Sequence, residues 1–344
     1  MAARTHKPVS MEARQVDELP RGEGWQYEPK WDGFRCIARR SGKRVVLLGR
    51  SGKSLARYFP EIVEALAKLK PSRFVLDGEL VIPTGATLSF EALQMRLHPA
   101  ESRIRRLSGE TPAVLIAFDM LQDPAGSDLA SHTLRERRTA LERFFATVDD
   151  ETRLRLSPAS EKRASAVRWL ARAGGGALDG VVAKRLDEPY RAGERAMLKI
   201  KSLRSADCVV GGFRYATAKR EVGSLLLGLY NGQGLLDHVG FTSAIGDDQR
   251  AALTRKLERL RGAPGFTGDA PGGPSRWSTE RSAQWEPLKP KLVVEVQYDH
   301  VTGERFRHGT RLLRWRPDKT PRQCTFDQLQ REAAPSRLMR EIFA

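Results

Sequence analysis

Apolar and polar positions in the first part of the chain follow two alternating periods. Residues 25–83 carry short apolar runs divided by turns, a pattern typical of strands, with one helical stretch at 59–69. Helical spacing of apolar residues recurs in three later segments: 88–98, 132–147 and 161–173. Strand-like runs are found at 113–121, 179–186 and 196–202. This mixture, joined by hairpin turns, predicts an α+β domain.

The pattern changes near residue 203. Short strand-like runs dominate from there on, at 208–216, 222–231, 235–241, 291–299 and 310–316. Residues 231–234 (NGQG) are a strong hairpin signal, a helix is predicted at 247–260, and a Gly/Pro-rich loop at 262–274. About five strands with one helix suit a small oligonucleotide-binding barrel. We therefore expect two domains, residues 1–203 and 204–344.

Charge is the outlying bulk property of the chain. Its 59 Lys and Arg residues exceed 42 Asp and Glu residues, which gives a net charge of +17. Such an excess favours a polyanionic partner, nucleic acid above all; the alternative is a basic protein kept monomeric by repulsion. No apolar run approaches the roughly 20 residues that span a bilayer, and the N-terminus has no apolar secretory core. We therefore expect a cytoplasmic protein without a membrane partner.

The three cysteines, Cys36, Cys208 and Cys324, are far apart and odd in number. Their positions fit neither a metal-binding spacing nor a disulfide framework. Because Cys36 and Cys208 lie in strand-like runs, we expect both to be core residues.

Residues 28–35 (EPKWDGFR) form the most informative short segment. It places Lys30 at the end of a predicted strand, before an Asp-Gly turn. A lysine backed by fixed cations loses its proton more easily than one in water. The neutral amine is then a nucleophile that can form a covalent intermediate. Taken alone, the segment is equally compatible with a surface hairpin.

Five further segments follow in order: 48–54 (LGRSGKS), 75–81 (VLDGELV), 116–121 (IAFDML), 179–184 (DGVVAK) and 197–201 (MLKIK). With residues 28–35, this set resembles the covalent nucleotidyltransferases. These are the ATP-dependent DNA ligases, with RNA ligases and mRNA capping enzymes as relatives, and the match is closest to the short bacterial ligase C type. The resemblance runs from Glu28 to Lys319. It implies an α+β nucleotidyltransferase domain of ATP-grasp-like antiparallel sheets and helices, followed by an OB-fold β-barrel domain.

Residues 49–54 also look like a phosphate-binding P-loop. That motif requires glycine at position 47, where this chain has Leu47. A P-loop ATPase is therefore excluded.

The resemblance assigns a nucleotide-handling role to residues of the first domain. Lys30 attacks the α-phosphorus of ATP, Glu28 meets the base and Phe118 stacks on the purine. The expected ATP-binding residues are Glu28, Arg35, Arg50, Glu79, Phe118, Lys184, Lys199 and Lys201. Their alternatives are structural: Glu28 in a surface ion pair, Arg35 on a solvated surface, and Phe118 in the core. An exposed strand face is the alternative for the pair Asp77 and Glu79.

The same resemblance implies a site for Mg²⁺ or Mn²⁺ at Glu79 and Asp179. Asp179 departs from the family pattern, which commonly has Glu at this position. Aspartate can bind Mg²⁺ through oxygen, but its carboxylate lies one methylene further back. A bridging water or a shift of the backbone would make up the difference.

Lys199 and Lys201 stand two apart, so both amines share one face of a strand. Two like charges there are unfavourable unless an anion lies between them. The functional interpretation is a catalytic clamp on the α-phosphate. The structural alternative is a solvated edge strand protected by lysines.

Residues 311–319 (RLLRWRPDK) resemble the last family element, carried on the barrel. Arg316, Asp318 and Lys319 are then catalytic residues that close over the β- and γ-phosphates of ATP during self-adenylation. A basic strand facing nucleic acid is the alternative. A further basic stretch, residues 135–138 (RERR), is expected to be a solvated helix face.

The sequence therefore predicts an ATP-dependent DNA ligase that acts on nicked double-stranded DNA, in DNA repair, as a monomer. Other repair proteins are left open as partners. An RNA ligase or a GTP-using capping enzyme is the nearest alternative. A basic nucleic-acid-binding protein without catalysis is the alternative from another class, and it predicts no covalent nucleotide.

Only 29 residues precede Lys30, so we expect no large N-terminal DNA-binding domain of the kind that longer ligases have. Binding to DNA then depends on the basic surfaces of the two domains. Because neutralised phosphates release counterions, the affinity for a nick is expected to fall steeply as salt rises. Titration of nicked DNA at several salt concentrations measures this slope, and a flat response would contradict the prediction.

Overall fold

The computed structural model describes residues 9–85, 87–149, 153–173, 178–217, 219–272 and 284–329. It contains two compact units, one ending at Ser202 and the other beginning at Leu203. Within the described ranges, no helix is long and apolar enough to cross a membrane.

The first unit mixes strands and helices along its length. Its strands are β1 (Ala13–Gln15), β2 (Trp25–Trp31), β3 (Phe34–Ser41), β4 (Arg44–Gly49), β5 (Arg73–Val81), β6 (Pro83–Thr84), β7 (Thr87–Leu88), β8 (Val114–Gln122), β9 (Leu154–Leu156), β10 (Leu178–Arg185) and β11 (Met197–Lys201). Its helices are α1 (Pro60–Lys68), α2 (Phe90–Arg96), α3 (Glu101–Glu110), α4 (Leu134–Phe145) and α5 (Arg163–Arg172), with a 3₁₀ turn at Ala56–Tyr58. The predicted helices and strands are present within a few residues of their expected bounds, whereas α3 was not predicted.

Two sheets organise this unit. One has the strand order β1-β11-β10-β2 and the other the order β4-β3-β5-β8-β9. Helix α5 packs on one face of the first sheet, where Tyr27, Val181 and Ile200 are buried in a shared apolar cluster. Because side chains alternate across a strand, the residues between these positions point to the opposite face, which carries the charged groups described below.

Helix α4 packs against the second sheet, and one of its residues differs from the prediction. The expected solvated face at 135–138 is wrong for Arg137, which is buried and bonded to Asp119 through its Nε at 2.8 Å. Its Nη1 also donates to the carbonyl of His132. The buried positions of α4 are Leu134, Arg137, Leu141 and Phe144. Arg137 therefore occupies the core-facing stripe of the helix, and its charge is matched by a carboxylate.

The second unit is a β-barrel with one long helix. Its strands are β12 (Arg204–Tyr215), β13 (Val222–Tyr230), β14 (Leu236–Thr242), β15 (Glu286–Pro287), β16 (Val293–Tyr298), β17 (Val301–Thr302), β18 (Arg305–Phe306) and β19 (Arg311–Trp315). Helix α6 spans Asp247–Glu258, and 3₁₀ turns lie at Pro321–Gln323 and Phe326–Gln328. The predicted loop 262–274 is described as far as residue 272, and its last two residues lie outside the described ranges.

The main sheet of the second unit has the order β14-β13-β12-β16-β19. Thr310, which lies just before β19, connects this end of the sheet to β14. The backbone N–H of Thr310 donates to the carbonyl of Phe241 at 3.0 Å, and Thr242 Oγ1 donates to the carbonyl of Thr310 at 2.8 Å. Strand residues fill the barrel core, which includes the thiols of Cys208 and Cys324. The expectation of core positions for Cys36 and Cys208 is confirmed, since both are fully buried.

His238 on β14 is a titratable group inside this barrel. Its ring packs edge-on against Phe266, with 5.3 Å between the ring centroids. Burial, reinforced by the charges of Arg305 and Arg214, lowers the pKa of His238 to about 3. In the unfolded chain a histidine titrates near 6.5. As pH falls from about 6.5 towards 3, the unfolded chain therefore gains a proton that the folded chain does not.

We expect the free energy of unfolding to fall as pH decreases through this window, by up to about 1.4 kcal/mol per pH unit from this residue. His238→Leu removes the titrating group, so the variant should lose less stability than the wild type on acidification. Urea unfolding of both proteins from neutral pH to about pH 4 measures the difference. Parallel pH dependences would contradict the prediction.

Candidate active site

A cavity of about 820 Å³ lies in the first unit. Residues from both sheets line it, so segments that are distant in sequence converge there. The sequence-predicted residues among its lining are Glu28, Lys30, Arg35, Arg50, Glu79, Phe118, Lys184 and Lys199. The volume falls in the range of small-molecule and cofactor sites.

A β-bulge brings Asp179 to Lys30. In the pairing of β10 with β2, Leu178 faces Trp31 and Gly180 faces Lys30, which leaves Asp179 as the extra residue. Such a bulge re-aims a side chain. Asp179 Oδ2 accepts a hydrogen bond from Lys30 Nζ at 2.6 Å and lies 3.4 Å from Lys201 Nζ.

Gly180 makes this bulge possible. Its φ is +149°, and a Cβ at this position would lie 2.0 Å from the backbone oxygen of Ile200 on β11. Any other residue would therefore push β10 away from β11. The close approach of these strands holds Asp179 next to the lysines.

Lys199 completes a cluster of three lysines around Asp179. Burial lowers the pKa of Lys199, and the neighbouring charges of Lys201 and Lys30 lower it further, against the opposing effect of Asp179. The edge-strand interpretation of Lys199 and Lys201 is wrong, because β11 lies between β1 and β10. The cluster carries more positive than negative charge, which favours an anion.

Glu28 lies two residues before Lys30, on the same face of β2. Its Oε2 lies 2.9 Å from Lys184 Nζ, and its Oε1 accepts a hydrogen bond from Gln26 Nε2 at 2.7 Å. All three side chains are buried, so the interpretation of Glu28 as part of a surface ion pair is wrong. Lys184, one of the expected ATP-binding residues, lies against Glu28, with its ammonium 4.7 Å from the ring centroid of Phe118.

Arg35 is fixed by a buried carboxylate rather than exposed to solvent. Its Nε and Nη2 donate to the two oxygens of Asp77 at 2.6 and 2.5 Å. Tyr190 donates its hydroxyl to the same carboxylate at 2.6 Å and accepts from the backbone N–H of Met11. Burial opposes the charge of Arg35, but Asp77 outweighs it and the pKa of Arg35 is raised. The exposed-face interpretation is therefore wrong for Asp77, which is fully buried.

Glu79 lies two residues further along β5 and lines the cavity. Loss of hydration raises the pKa of Glu79 to about 7, although the charges of Lys30 and Arg35 act in the opposite direction. Near neutral pH its carboxyl is therefore poised between its two forms.

A second bulge directs Phe118 into the cavity. Along β8, Ala117 faces Gly78 and Asp119 faces Asp77, so Phe118 is the extra residue. Its neighbours Ala117 and Met120 remain in the core cluster on the other side of the sheet. The guanidinium of Arg35 lies 4.6 Å from the ring centroid of Phe118. The ring is thus a cavity wall rather than part of the main core.

Arg50 marks the mouth of the cavity. Its side chain is 69% exposed and forms a two-pronged ion pair with Glu12, with both bonds at 2.9 Å. Sequence reasoning missed Glu12 and Tyr190. Neither lies in a segment of the ordered set, and no local pattern marks them.

Arg316, Asp318 and Lys319 lie together in the second unit. Arg316 donates through Nε and Nη2 to Asp318, whose pKa these bonds lower to about 2. Arg316 Nη1 and Lys319 Nζ both donate to Asp207, at 2.9 and 2.5 Å. Sequence reasoning missed Asp207, although a carboxylate within the apolar run of β12 was a usable signal for a paired charge.

The oxygen donors available suit a hard divalent cation. Within the described ranges, no three His, Cys, Asp or Glu side chains are grouped to hold a metal ion. Mg²⁺ usually takes one or two carboxylates, substrate phosphates and water. Glu79 on the cavity wall and Asp179 beside Lys30 fit that requirement.

A cavity of nucleotide size with an amine between carboxylates and cations defines the class of protein as a nucleotidyltransferase. A family model described as "ATP dependent DNA ligase domain" matches residues 6–201. A second, described as "ATP dependent DNA ligase C terminal region", matches residues 218–319.

Relatives of known name support the same family. The chain is 44% identical to DNA ligase C2 of Mycolicibacterium smegmatis over 338 residues, covering 94% of each chain. It is 42% identical to DNA ligase C of Mycobacterium tuberculosis over 340 residues, again covering 94% of each. A solved structure from a study of Lig E DNA ligases has a TM-score of 0.57 at 17% identity, covering 90% of this chain and all of that one, which supports the fold alone. The chain belongs to the ATP-dependent DNA ligase family.

The geometry at Asp179 gives a direct test. Asp179→Asn removes a carboxylate that bonds Lys30 and lies 3.4 Å from Lys201. We expect the rate of AMP transfer to the protein to fall on the order of 10²-fold, because the Lys30 amine loses the carboxylate that positions it. Asp179→Glu keeps the charge and should retain most of the activity.

Adduct formation with labelled ATP measures both rates, and thermal unfolding checks that the variants are folded. An Asn variant that is labelled at the wild-type rate would exclude a role for Asp179.

Proposed function

We propose that this ATP-dependent DNA ligase joins strands through a covalent lysyl-AMP formed on Lys30. AMP then passes to the 5′-phosphate at a nick, and the 3′-hydroxyl displaces AMP to seal the strand. The observation that supports this proposal most is the position of the Lys30 amine: it lies 2.6 Å from Asp179, and Lys30 and Lys199 both line the cavity.

The nucleotide base is the part of ATP for which the cavity has apolar and polar partners. Phe118 offers a ring face for the purine, and base stacking on an aromatic side chain contributes about 1–3 kcal/mol. Gln26 and Lys184 orient Glu28, so its carboxylate is positioned to accept a hydrogen bond from the adenine amino group. Arg35 is held by Asp77 and offers a rigid guanidinium edge to ribose or phosphate.

The reacting phosphate is the part for which the cavity has cations. Asp179 holds the Lys30 amine in place, and Lys199 and Lys201 stabilise the charge that develops on the α-phosphate. A divalent cation held by Glu79 and Asp179 would neutralise phosphate charge and orient the oxygens. Arg50 is exposed at the mouth and is suited to the 5′-phosphate of a nick.

Residues of the second unit belong to the first step of this proposal. Arg316, Asp318 and Lys319 act on the β- and γ-phosphates as pyrophosphate leaves. The domain assignment is part of the same proposal, with adenylation in residues 1–203 and an OB-fold in 204–344. The protein works as a monomer on nicked double-stranded DNA in the cytoplasm, in DNA repair, where other repair proteins are candidate partners.

Incubation with α-labelled ATP and Mg²⁺, followed by denaturation, tests the proposal. We expect acid-labile label on the wild type and none on Lys30→Ala, because only a neutral amine at this position can attack. Lys43→Ala changes an exposed lysine in the turn between β3 and β4 and should be labelled normally.

Two substrate comparisons complete this experiment. GTP in place of ATP should give little adduct, and nicked DNA should be sealed in preference to nicked RNA. Equal labelling of Lys30→Ala and wild type would refute the assignment of the nucleophile, and preferential labelling by GTP would favour a capping enzyme.

A further inference from the structure

Asp207 is a buried charged residue of β12, a strand whose apolar side chains belong to the barrel core. It lies on β12 between Ala206 and Cys208, and it is 7% exposed. A buried carboxylate is costly unless it is paired and hydrogen-bonded. The burial of this charge therefore depends on the groups that contact it.

Two cations share this one carboxylate. Arg316 Nη1 donates to Asp207 Oδ1 at 2.9 Å, and Lys319 Nζ donates to Asp207 Oδ2 at 2.5 Å. Each oxygen thus takes one cation. The distance between the Arg316 guanidinium and the Lys319 ammonium is therefore set by the two oxygens of Asp207, and not by the flexible side chains of the two cations.

The backbone of Asp207 is itself fixed. Its N–H donates to Gln328 Oε1 at 2.9 Å, and its carbonyl accepts from Gln328 Nε2 at 3.1 Å. It also pairs with Glu295 of β16 in the sheet. The carboxylate is therefore carried on a rigid element and can position the two cations.

Both cations keep capacity for a ligand. The Lys319 side chain is 27% exposed and that of Arg316 18%. An ammonium has three N–H donors, so a bond to Asp207 leaves Lys319 able to bind phosphate oxygens. Arg316 would exchange its bonds to Asp318, which is exposed, for phosphate while Asp207 still holds Nη1.

We propose that Asp207 is a positioning residue for self-adenylation, holding Arg316 and Lys319 side by side to receive the terminal phosphates of ATP. The inference rests on the proposed function. In that step the Lys30 nitrogen bonds to the α-phosphorus, the bond from that phosphorus to the bridging oxygen breaks, and pyrophosphate leaves with the electron pair. The amine gives up a proton to solvent. Asp207 touches none of the reacting atoms.

If Asp207 has this role, its loss should slow adenylation and the reverse of adenylation but not the final sealing step. Pyrophosphate leaves only when Lys30 is adenylated, and it re-enters only in the reverse reaction. Sealing of a nick that already carries AMP involves no terminal phosphates. A merely structural Asp207 would affect every step in proportion to the amount of folded protein.

Asp207→Asn is the primary test, since it keeps the shape and removes the charge. We expect kcat/KM for Lys30 adenylation by ATP to fall on the order of 10- to 100-fold, as for other residues that orient a binding group. The reverse reaction, in which pyrophosphate takes AMP from the adenylated enzyme and re-forms ATP, should slow in parallel. Sealing of a chemically pre-adenylated nick should stay within about twofold of wild type on the same scale.

Asp207→Glu keeps the charge and should recover part of the lost rate. Glu258→Gln is the matched control, because Glu258 contacts Tyr215 on the surface of the same unit, and it should leave both reactions unchanged. If Asp207→Asn proves unfolded by thermal melting, Gln328→Leu takes its place. That variant removes both bonds to the Asp207 backbone but no charge, and it should slow adenylation alone.

Adenylation by folded Asp207→Asn at the wild-type rate would overturn the inference. An equal loss in adenylation and in sealing of the pre-adenylated nick would overturn it too. If the wild type itself formed no adduct with ATP, the proposed function would fail instead, so the two failures are distinguishable.

Discussion

The excess of positive charge around Asp179 is the constraint on which the candidate site depends. Lys30 and Lys201 contact the Asp179 carboxylate and Lys199 interacts with it electrostatically, while Glu79 on the cavity wall has its pKa raised to about 7 by burial. The cluster is therefore under-neutralised, and an anion such as a phosphate relieves the repulsion. Burial and the same repulsion lower the pKa of Lys199, so the cluster would be a poor structural element in isolation. The surrounding sheets must hold it together.

Irregularities in the strands, rather than regular pleats, aim the key side chains. Asp179 and Phe118 are each the extra residue of a bulge, and Gly180 allows β10 and β11 to approach closely enough to keep the first bulge in place. Buried carboxylates then fix the cations: Asp77 holds Arg35 in the first unit, and Asp207 holds Arg316 and Lys319 in the second. In both units, a buried carboxylate orients basic side chains.

Much of the local structure could be predicted from sequence. The pattern of Glu28 and Lys30, two apart on a strand, places both on one face, and the structure puts both in the cavity lining. The failures share a cause. Charge alone predicts a solvated helix face for Arg137 and allows an exposed strand face for Asp77, yet each is buried against a partner from another part of the chain. Lys199 and Lys201 were given an edge-strand alternative because sequence does not reveal which strands flank β11.

The ordered segments already indicate the family by resemblance, and the alternation of apolar and polar residues determines which side chains share one face of a strand. They do so because strand and helix periods are properties of neighbouring residues. Only the tertiary structure decides which acid meets which base: Asp179 with Lys30, Glu28 with Lys184, and Asp207 with Arg316 and Lys319. Those pairings depend on strand order and on single-residue bulges. A shift of one position in register would turn each carboxylate to the opposite face of its sheet.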